Sequence, residues 1–420
     1  MSSNTNSREF ETEISQLVHI NDKDECVWNL NPWLRVVNDP KHANYSVSDL
    51  VVCGKLRTGK STLQNHTLRY LAWIAMGKPH DVDWKTIQLK NEFKAAGGRE
   101  SVTKGIWICP FVIEQQKRIV IVVDVEGAFD PKAKKQSRHA LFTIATMLSS
   151  TLIYNIKDQI GSDDLQNLAI LFKYAHKANG GKKLQNFNFL IRDYMLDENY
   201  GFEGGRELMT DLRNEASAES RTHFEIVENS TEELNCCLVP SPQRAGIRSG
   251  VVSEMGPDFV QEFSALVEHV VNNLKSKMNC VQSDALANRL PEVFKTGKLP
   301  EPEDVYELLF VKPDLDKACI DIRNDTKKSM EQKVTGQDEE EFKSVCDELQ
   351  NDALVHFERR CGDRRSSTYY AAAKAELIRG MNEYFWELKK LNDLVRSKSF
   401  MNQLKSGAKK GCCYCGRNCC

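Results

Sequence analysis

Through the first two-thirds of the chain, short continuous apolar runs alternate with longer stretches of helical period. Residues 50–53, 119–123, 187–191 and 236–239 are β-branched or aromatic runs without polar alternation, as strands covered on both faces require. An earlier run, residues 17–20, closes at the turn-prone Asn21-Asp22. Between the runs, residues 61–76, 138–154, 163–178 and 258–274 carry helical patterns. The uncharged stretch 141–156 is expected to be a buried helix, too short and too polar to cross a bilayer. Strands alternating with helices make this part an α/β domain with a mixed, mostly parallel sheet.

The texture changes at both ends of that region. Residues 1–16 are rich in Ser, Asn and Glu without apolar periodicity and are expected to be disordered, so the α/β domain is placed at 17–297. Asn279-Cys280-Val281-Gln282-Ser283 is polar, and the breaker cluster from Thr296 to Pro302 marks a linker at 298–302. In residues 303–395 no β-rich run occurs, while Leu377, Met381, Tyr384, Leu388, Leu391 and Val395 step by three and four, which predicts an all-α helical bundle.

Composition narrows the classes. With 420 residues the chain allows two to four domains, and 57 basic against 59 acidic residues is ordinary soluble composition. That balance argues against disorder and against a polycation that coats nucleic acid, so no nucleic-acid partner is expected. No run approaches the 20 or so apolar residues of a transmembrane helix. Five of the 14 cysteines, Cys412, Cys413, Cys415, Cys419 and Cys420, crowd the end, and the rest are scattered; with no signal peptide at Met1 this predicts a reducing, cytoplasmic setting. The tail, 396–420, has six basic residues and no acidic one. Its cysteines allow a zinc site, though their spacing fits C-x-x-C pairs poorly, an unmodified end, or acylation or prenylation, although Arg417 excludes a C-a-a-X box. Lipid plus basic residues would supply the two signals that stable, peripheral membrane attachment takes, which favours the third reading.

The sharpest chemistry lies after the second apolar run. Gly54-Lys55-Leu56-Arg57-Thr58-Gly59-Lys60-Ser61-Thr62 matches G-x-x-x-x-G-K-[ST] between a predicted strand and a predicted helix. Backbone N–H groups and the helix N-terminus would wrap phosphates, Lys60 would reach the β- and γ-phosphates, and the Ser61 hydroxyl would serve Mg2+. Residues 119–123 lead into Asp124-Val125-Glu126-Gly127, where a strand-end carboxylate holds Mg2+ through its water shell and Gly127 reads the γ-phosphate. Between them, the glycine-rich loop 97–107 carries Thr103, placed to close over γ-phosphate and Mg2+. No Asn-Lys-x-Asp stands at the fourth strand; Arg192-Asp193 ends residues 187–191 instead, with a carboxylate able to accept from guanine N1–H and the exocyclic amine.

These residues resemble the dynamin-related GTPases of the atlastin and guanylate-binding protein group: Arg57-x-Gly59-Lys60-Ser61 in the phosphate loop, Gly98-Arg99-Glu100 through Thr103 and Gly105-Ile106-Trp107 in the switch, and Arg192-Asp193 for the base. Similarity to atlastin extends through Phe129-Asp130, Thr146-Met147-Leu148-Ser149-Ser150, Tyr154-Asn155, Asp163-Asp164-Leu165-Gln166 and Tyr200-Gly201 with Gly204-Gly205, covering roughly residues 17–395. The resemblance implies a P-loop GTPase domain followed by a three-helix bundle. It implies GTP hydrolysis with Arg57 supplied in cis, Lys60 and Thr103 as catalytic partners, and Mg2+ on Ser61 and Thr103 with Asp124 behind water. Thr58, Gly59, Thr62, Glu126, Gly127, Arg192 and Asp193 would complete the nucleotide contacts, with cover from the loop near 240–248. It further implies homodimers in the GTP-bound state and tethering or shaping of intracellular membranes, the endoplasmic reticulum among them. Two departures stand out: Val125 replaces the usual Thr of Asp-Thr-Glu-Gly, and residues 396–420 do not match the transmembrane hairpin, so fusion is not carried over. A GTP-binding scaffold with little turnover and an ATP-using P-loop enzyme are the competing classes.

Overall fold

The computed structural model describes residues 9–23, 25–55, 58–94, 105–126, 135–195, 199–214, 216–242, 255–296, 298–333 and 336–412. They fall into two compact units, Met1–Tyr306 and Glu307–Cys420. In the first unit the strands are β1 (Glu9–Phe10), β2 (Ser15–Ile20), β3 (Cys26–Trp28), β4 (Ser46–Gly54), β5 (Gln88–Leu89), β6 (Gly105–Ile113), β7 (Arg118–Glu126), β8 (Thr151–Lys157), β9 (Leu184–Arg192), β10 (Thr231–Val239) and β11 (Met278–Asn279). Its helices are α1 (Asn31–Val37), α2 (Lys60–Ala75), α3 (Lys135–Leu148), α4 (Ser162–Ala178), α5 (Gly201–Asn214), α6 (Ala218–Asn229), α7 (Pro257–Asn272), α8 (Cys280–Val293) and α9 (Pro302–Tyr306).

The main sheet runs β10-β9-β8-β4-β7-β6-β2-β3, with β11 beside the start of β4. From β10 to β7 every pairing is parallel, and from β7 to β3 every pairing is antiparallel. Residues 50–53 of β4 are wholly buried because both faces of the strand are covered. On one face Leu50 and Val52 join Leu63, Leu71, Phe259, Phe263 and Leu266 of α2 and α7. Elsewhere in the unit Phe172 of α4 meets Phe142 of α3 and Phe187 of β9 edge-on, at ring separations of 6.3 and 5.0 Å. β4 leads through α2 to β7 on one side, and β7 through α3 to β8 on the other. The strand order therefore reverses at β4, and the crevice beyond its C-terminal end is where open α/β sheets bind ligands.

The sequence reading is amended in several places. Residues 9–16, expected without order, hold β1, which pairs with β5 while Phe10 stacks on Phe111 at 5.2 Å, and the start of β2. The expected helix 138–154 stops at Leu148, and residues 151–157 form β8 between β4 and β9, where a β-branched run satisfies two ladders. Gly105, Ile106 and Trp107, read as loop, open β6. The polar residues near 279 cap α8: Asn279 accepts from the Gln282 N–H at 2.9 Å and the Gln282 side chain accepts from the Asn279 N–H at 3.0 Å.

In the second unit a π-helical turn, Glu307–Val311, precedes α10 (Lys312–Lys333), α11 (Glu339–Cys361) and α12 (Tyr370–Cys412). Leu315, Ile322, Met330, Phe342, Leu349, Phe357, Leu377, Met381, Phe385 and Leu388 are buried between them. Asn392 closes the seam, donating its amide to the Gln337 carbonyl at 2.8 Å and accepting the Gln337 N–H at 2.9 Å in the α10–α11 turn. Leu391 and Val395, expected in the core from their spacing, are instead exposed, because the partner helices end at that turn. Among the described residues no helix is long and apolar enough to cross a membrane.

His66 of α2 carries a pH prediction. It is fully buried, with its ring 4.5 Å from Trp84 and Nε2 3.2 Å from Ser264 Oγ. Burial, with smaller pushes from Arg69 and Lys85, lowers its pKa to about 3. An unfolded histidine protonates near 6.5, so stability falls as pH drops from about 6.5 towards 3, by about 1.4 kcal/mol per unit. Urea midpoints at pH 7 and pH 5 should show this loss, about 2 kcal/mol, in the parent and not in His66→Gln.

Candidate nucleotide-binding site

The crevice at the reversal of strand order gathers the C-terminal ends of β4, β7, β8 and β9. The loop leaving β4 needs two glycines. Gly54 has φ +140°, and a Cβ there would lie 2.1 Å from the Asn155 carbonyl oxygen of β8. Gly59 has φ +79°, and a Cβ there would lie 1.8 Å from Arg192 Nη1. Thr58 Oγ1 donates to the Lys55 carbonyl at 2.9 Å, and Lys60 Nζ donates to the same oxygen at 3.0 Å. The loop is thus cross-braced, with Thr58, Lys60 and Ser61 buried and Thr62 half-buried. Lys55 is tied outward by a 2.9 Å ion pair with Asp164, whose carboxylate also accepts the Gly161 N–H at 3.1 Å at the start of α4.

Ser61 Oγ donates to Asp124 Oδ2 at 3.1 Å, joining the first turn of α2 to the end of β7. Gln64 reinforces that junction with a 2.7 Å bond to the Val123 carbonyl. A hydroxyl and a carboxylate are both hard oxygen donors, the set that suits Mg2+ when water and phosphate complete its octahedron. Val125, the next residue, is fully buried, and strand alternation turns it to the opposite face from Asp124.

At the end of β9, Arg192 points back into the fold. Its Nη1 donates to the Thr58 carbonyl at 2.5 Å, and its guanidinium lies 5.2 Å from the Phe259 ring and 5.6 Å from the Phe263 ring. Burial among these groups lowers its pKa, and the neighbouring Asp193 partly offsets that. Asn155 donates to the same Thr58 carbonyl at 3.1 Å. In this structure the Arg192 side chain holds the phosphate loop. Asp193 stands at φ +58°, with Oδ2 3.4 Å from Lys157 Nζ and Oδ1 buried without a hydrogen-bond partner. A non-glycine residue held in that region, carrying an unpartnered acceptor, fits a base-reading role.

Ser61, Asp124, Lys60, Thr58 and Gly59 are thus brought to one mouth, with Arg192 behind them and Asp193 beside Lys157. Arg57, Thr103, Gly127 and the loop 243–248 lie outside the described residues, as does the Glu126 side chain. So do Cys413, Cys415, Cys419 and Cys420, while Cys412 is the last residue of α12. The sequence reading named Asn155 only as part of a resemblance and gave neither it nor Gln64 a role in the site, because their partners are backbone carbonyls far away in the chain. The nine described cysteines outside α12 are buried and unpaired, and burial pushes the Cys53, Cys236 and Cys237 thiols up, leaving them chemically quiet.

The family described as guanylate-binding protein, N-terminal domain, matches residues 33–279, more than half of the chain. The chain belongs to the guanylate-binding protein family. It is similar to Atlastin-2 of Homo sapiens, 30% identical over 68% of this chain and 52% of that protein. Atlastin-3 of Mus musculus is 28% identical over 61% of this chain and 52% of that protein, and Atlastin of Drosophila melanogaster 26% over 69% and 58%. The chain spans about half the length of the curated relatives it matches. Guanylate-binding family membership and the reversal of strand order at β4 rest on separate observations and point to the same mouth.

Replacing Arg192 by Met leaves the Thr58 carbonyl, among the described residues, with the Asn155 amide as its side-chain donor. The unit should lose about 1–3 kcal/mol in urea unfolding. Affinity for a fluorescent guanine nucleotide should fall at least about tenfold, the equivalent of 1.4 kcal/mol.

Proposed function

We propose that the chain is a Mg2+-dependent GTPase of atlastin type, which pairs through its nucleotide domain in the GTP-bound state and works in tethering or shaping an intracellular membrane. The observation that carries this reading is the joint placement of a braced phosphate loop, the Ser61–Asp124 contact and the unpartnered Asp193 acceptor at one mouth. Peripheral attachment through an acylated or prenylated tail, 396–420, belongs to the same proposal.

In this reading the loop N–H groups and the α2 N-terminus receive the phosphates, and Lys60 swings from the Lys55 carbonyl to the β- and γ-phosphates. Mg2+, when bound, neutralises charge on the phosphate oxygens. Ser61 and Thr103 would hold the ion, with Asp124 behind water. Asp193 accepts from guanine N1–H and the exocyclic amine, a pair of donors that adenine does not present on that edge. Arg57 meets the charge spread over the transferring phosphoryl oxygens, a contribution on the order of 10³–10⁵ in rate. Because Val125 faces away from Asp124, its missing hydroxyl is not one that the carboxylate's face would have used, which favours turnover over a silent scaffold.

Three outcomes test the proposal. Lys60→Ala should bring nucleotide binding below detection by calorimetry. Asp193→Asn exchanges an acceptor pair for one donor and one acceptor, so preference should move from GTP towards XTP, read by competition. A non-hydrolysable GTP analogue should double the mass in light scattering, whereas a monomer under every nucleotide would contradict the pairing.

A further inference from the structure

We propose that the outer face of α12, from Trp386 onward, is a seat for an anionic lipid bilayer, independent of any modification of the tail cysteines. Two features set this helix apart. The first is apolar surface where a bundle helix should be polar. Trp386 is 62% exposed, Leu394 54%, Leu391 52% and Val395 41%. On a helix of 3.6 residues per turn, Trp386, Lys390 and Leu394 form one ridge opposite the buried Leu377, Met381, Phe385 and Leu388. Leu391 and Val395 follow the core side of the helix instead and add apolar surface where the partner helices end.

The second feature is charge. Past Asp393 every charged residue is basic, with Arg396, Lys398, Lys405, Lys409 and Lys410 falling within α12. Glu383, Glu387 and Asp393 flank the first part of the ridge, and the basic excess begins past them. The Lys390 amine sits 3.3 Å from the centre of the Trp386 ring, an aromatic body with a cation over it, which suits the boundary between acyl chains and headgroups. The bundle closes at Asn392, yet α12 continues to Cys412, about 30 Å further at 1.5 Å per residue. A second copy of the segment past Asp393 would bring like charges together. An anionic surface complements them, and basic amphipathic helices with exposed Trp and Leu bind such surfaces in plane.

This goes beyond the acylation reading because it needs no lipid on the protein. The experiment uses the full chain with all five tail cysteines changed to Ser, made in bacteria, and vesicles of phosphatidylcholine with or without about 30% phosphatidylserine. The expected result is sedimentation with the anionic vesicles at about 0.1 M salt and at least tenfold weaker partition with neutral vesicles or at about 0.5 M salt. Trp386→Glu and Leu394→Glu should each weaken partition at least tenfold while GTP hydrolysis in the same samples stays unchanged. Three results overturn the proposal: no sedimentation with anionic vesicles, equal partition of both variants and the parent, or an altered solution mass in Leu394→Glu, which would assign the face to a second copy. Loss of hydrolysis in the parent would instead strike the GTPase reading and leave the lipid result to stand alone.

Discussion

One backbone carbonyl, that of Thr58, ties the nucleotide site to the sheet. It receives the Arg192 guanidinium from the end of β9 and the Asn155 amide from the end of β8, while the Phe259 and Phe263 rings of α7 cover the guanidinium. A buried cation is costly unless its hydrogens find partners, so the loop cannot drift without leaving a charge stranded in an apolar pocket. The same crowding fixes Gly59, where a methyl group would collide with Arg192. Phosphate loop, β9 and α7 are therefore joined through a single side chain, and a change at the end of β9 is felt at the loop.

That coupling gives physical content to the proposed activity. The reversal of strand order at β4 opens a crevice, the glycines let the loop close around anionic oxygen, and Ser61 with Asp124 offers hard oxygen to a divalent ion. Asp193, half-buried at positive φ beside Lys157, keeps one acceptor unspent. Guanylate-binding family membership accounts for why these features occur together over residues 33–279. The bundle and the long α12 lie outside that match, and there the chain's own apolar and basic pattern carries the argument.

Much of this was legible in the sequence. The phosphate loop and Asp124 could be read because glycine, lysine and a strand-end carboxylate at fixed intervals have few structural alternatives, and the continuous runs at 50–53, 119–123, 187–191 and 236–239 lie within β4, β7, β9 and β10. β8 was hidden because Thr151-Leu152-Ile153-Tyr154 follows a helix with no glycine or proline between, so the helical period ran on through it. The inward turn of Arg192 was illegible, since its partner is a backbone carbonyl 134 residues away and its cover comes from α7. Leu391 and Val395 misled for a related reason: periodicity reports a face, and only the end of the neighbouring helices decides whether that face is covered.

The central claim is that this mouth selects guanine and hydrolyses the terminal phosphate with a divalent ion. Phosphate release by the full chain, followed under single-turnover conditions with GTP and with ATP, each with Mg2+ and with EDTA, tests it most directly. The account predicts release from GTP with Mg2+ alone. Equal release from ATP, or release from GTP that is indifferent to EDTA, would contradict it.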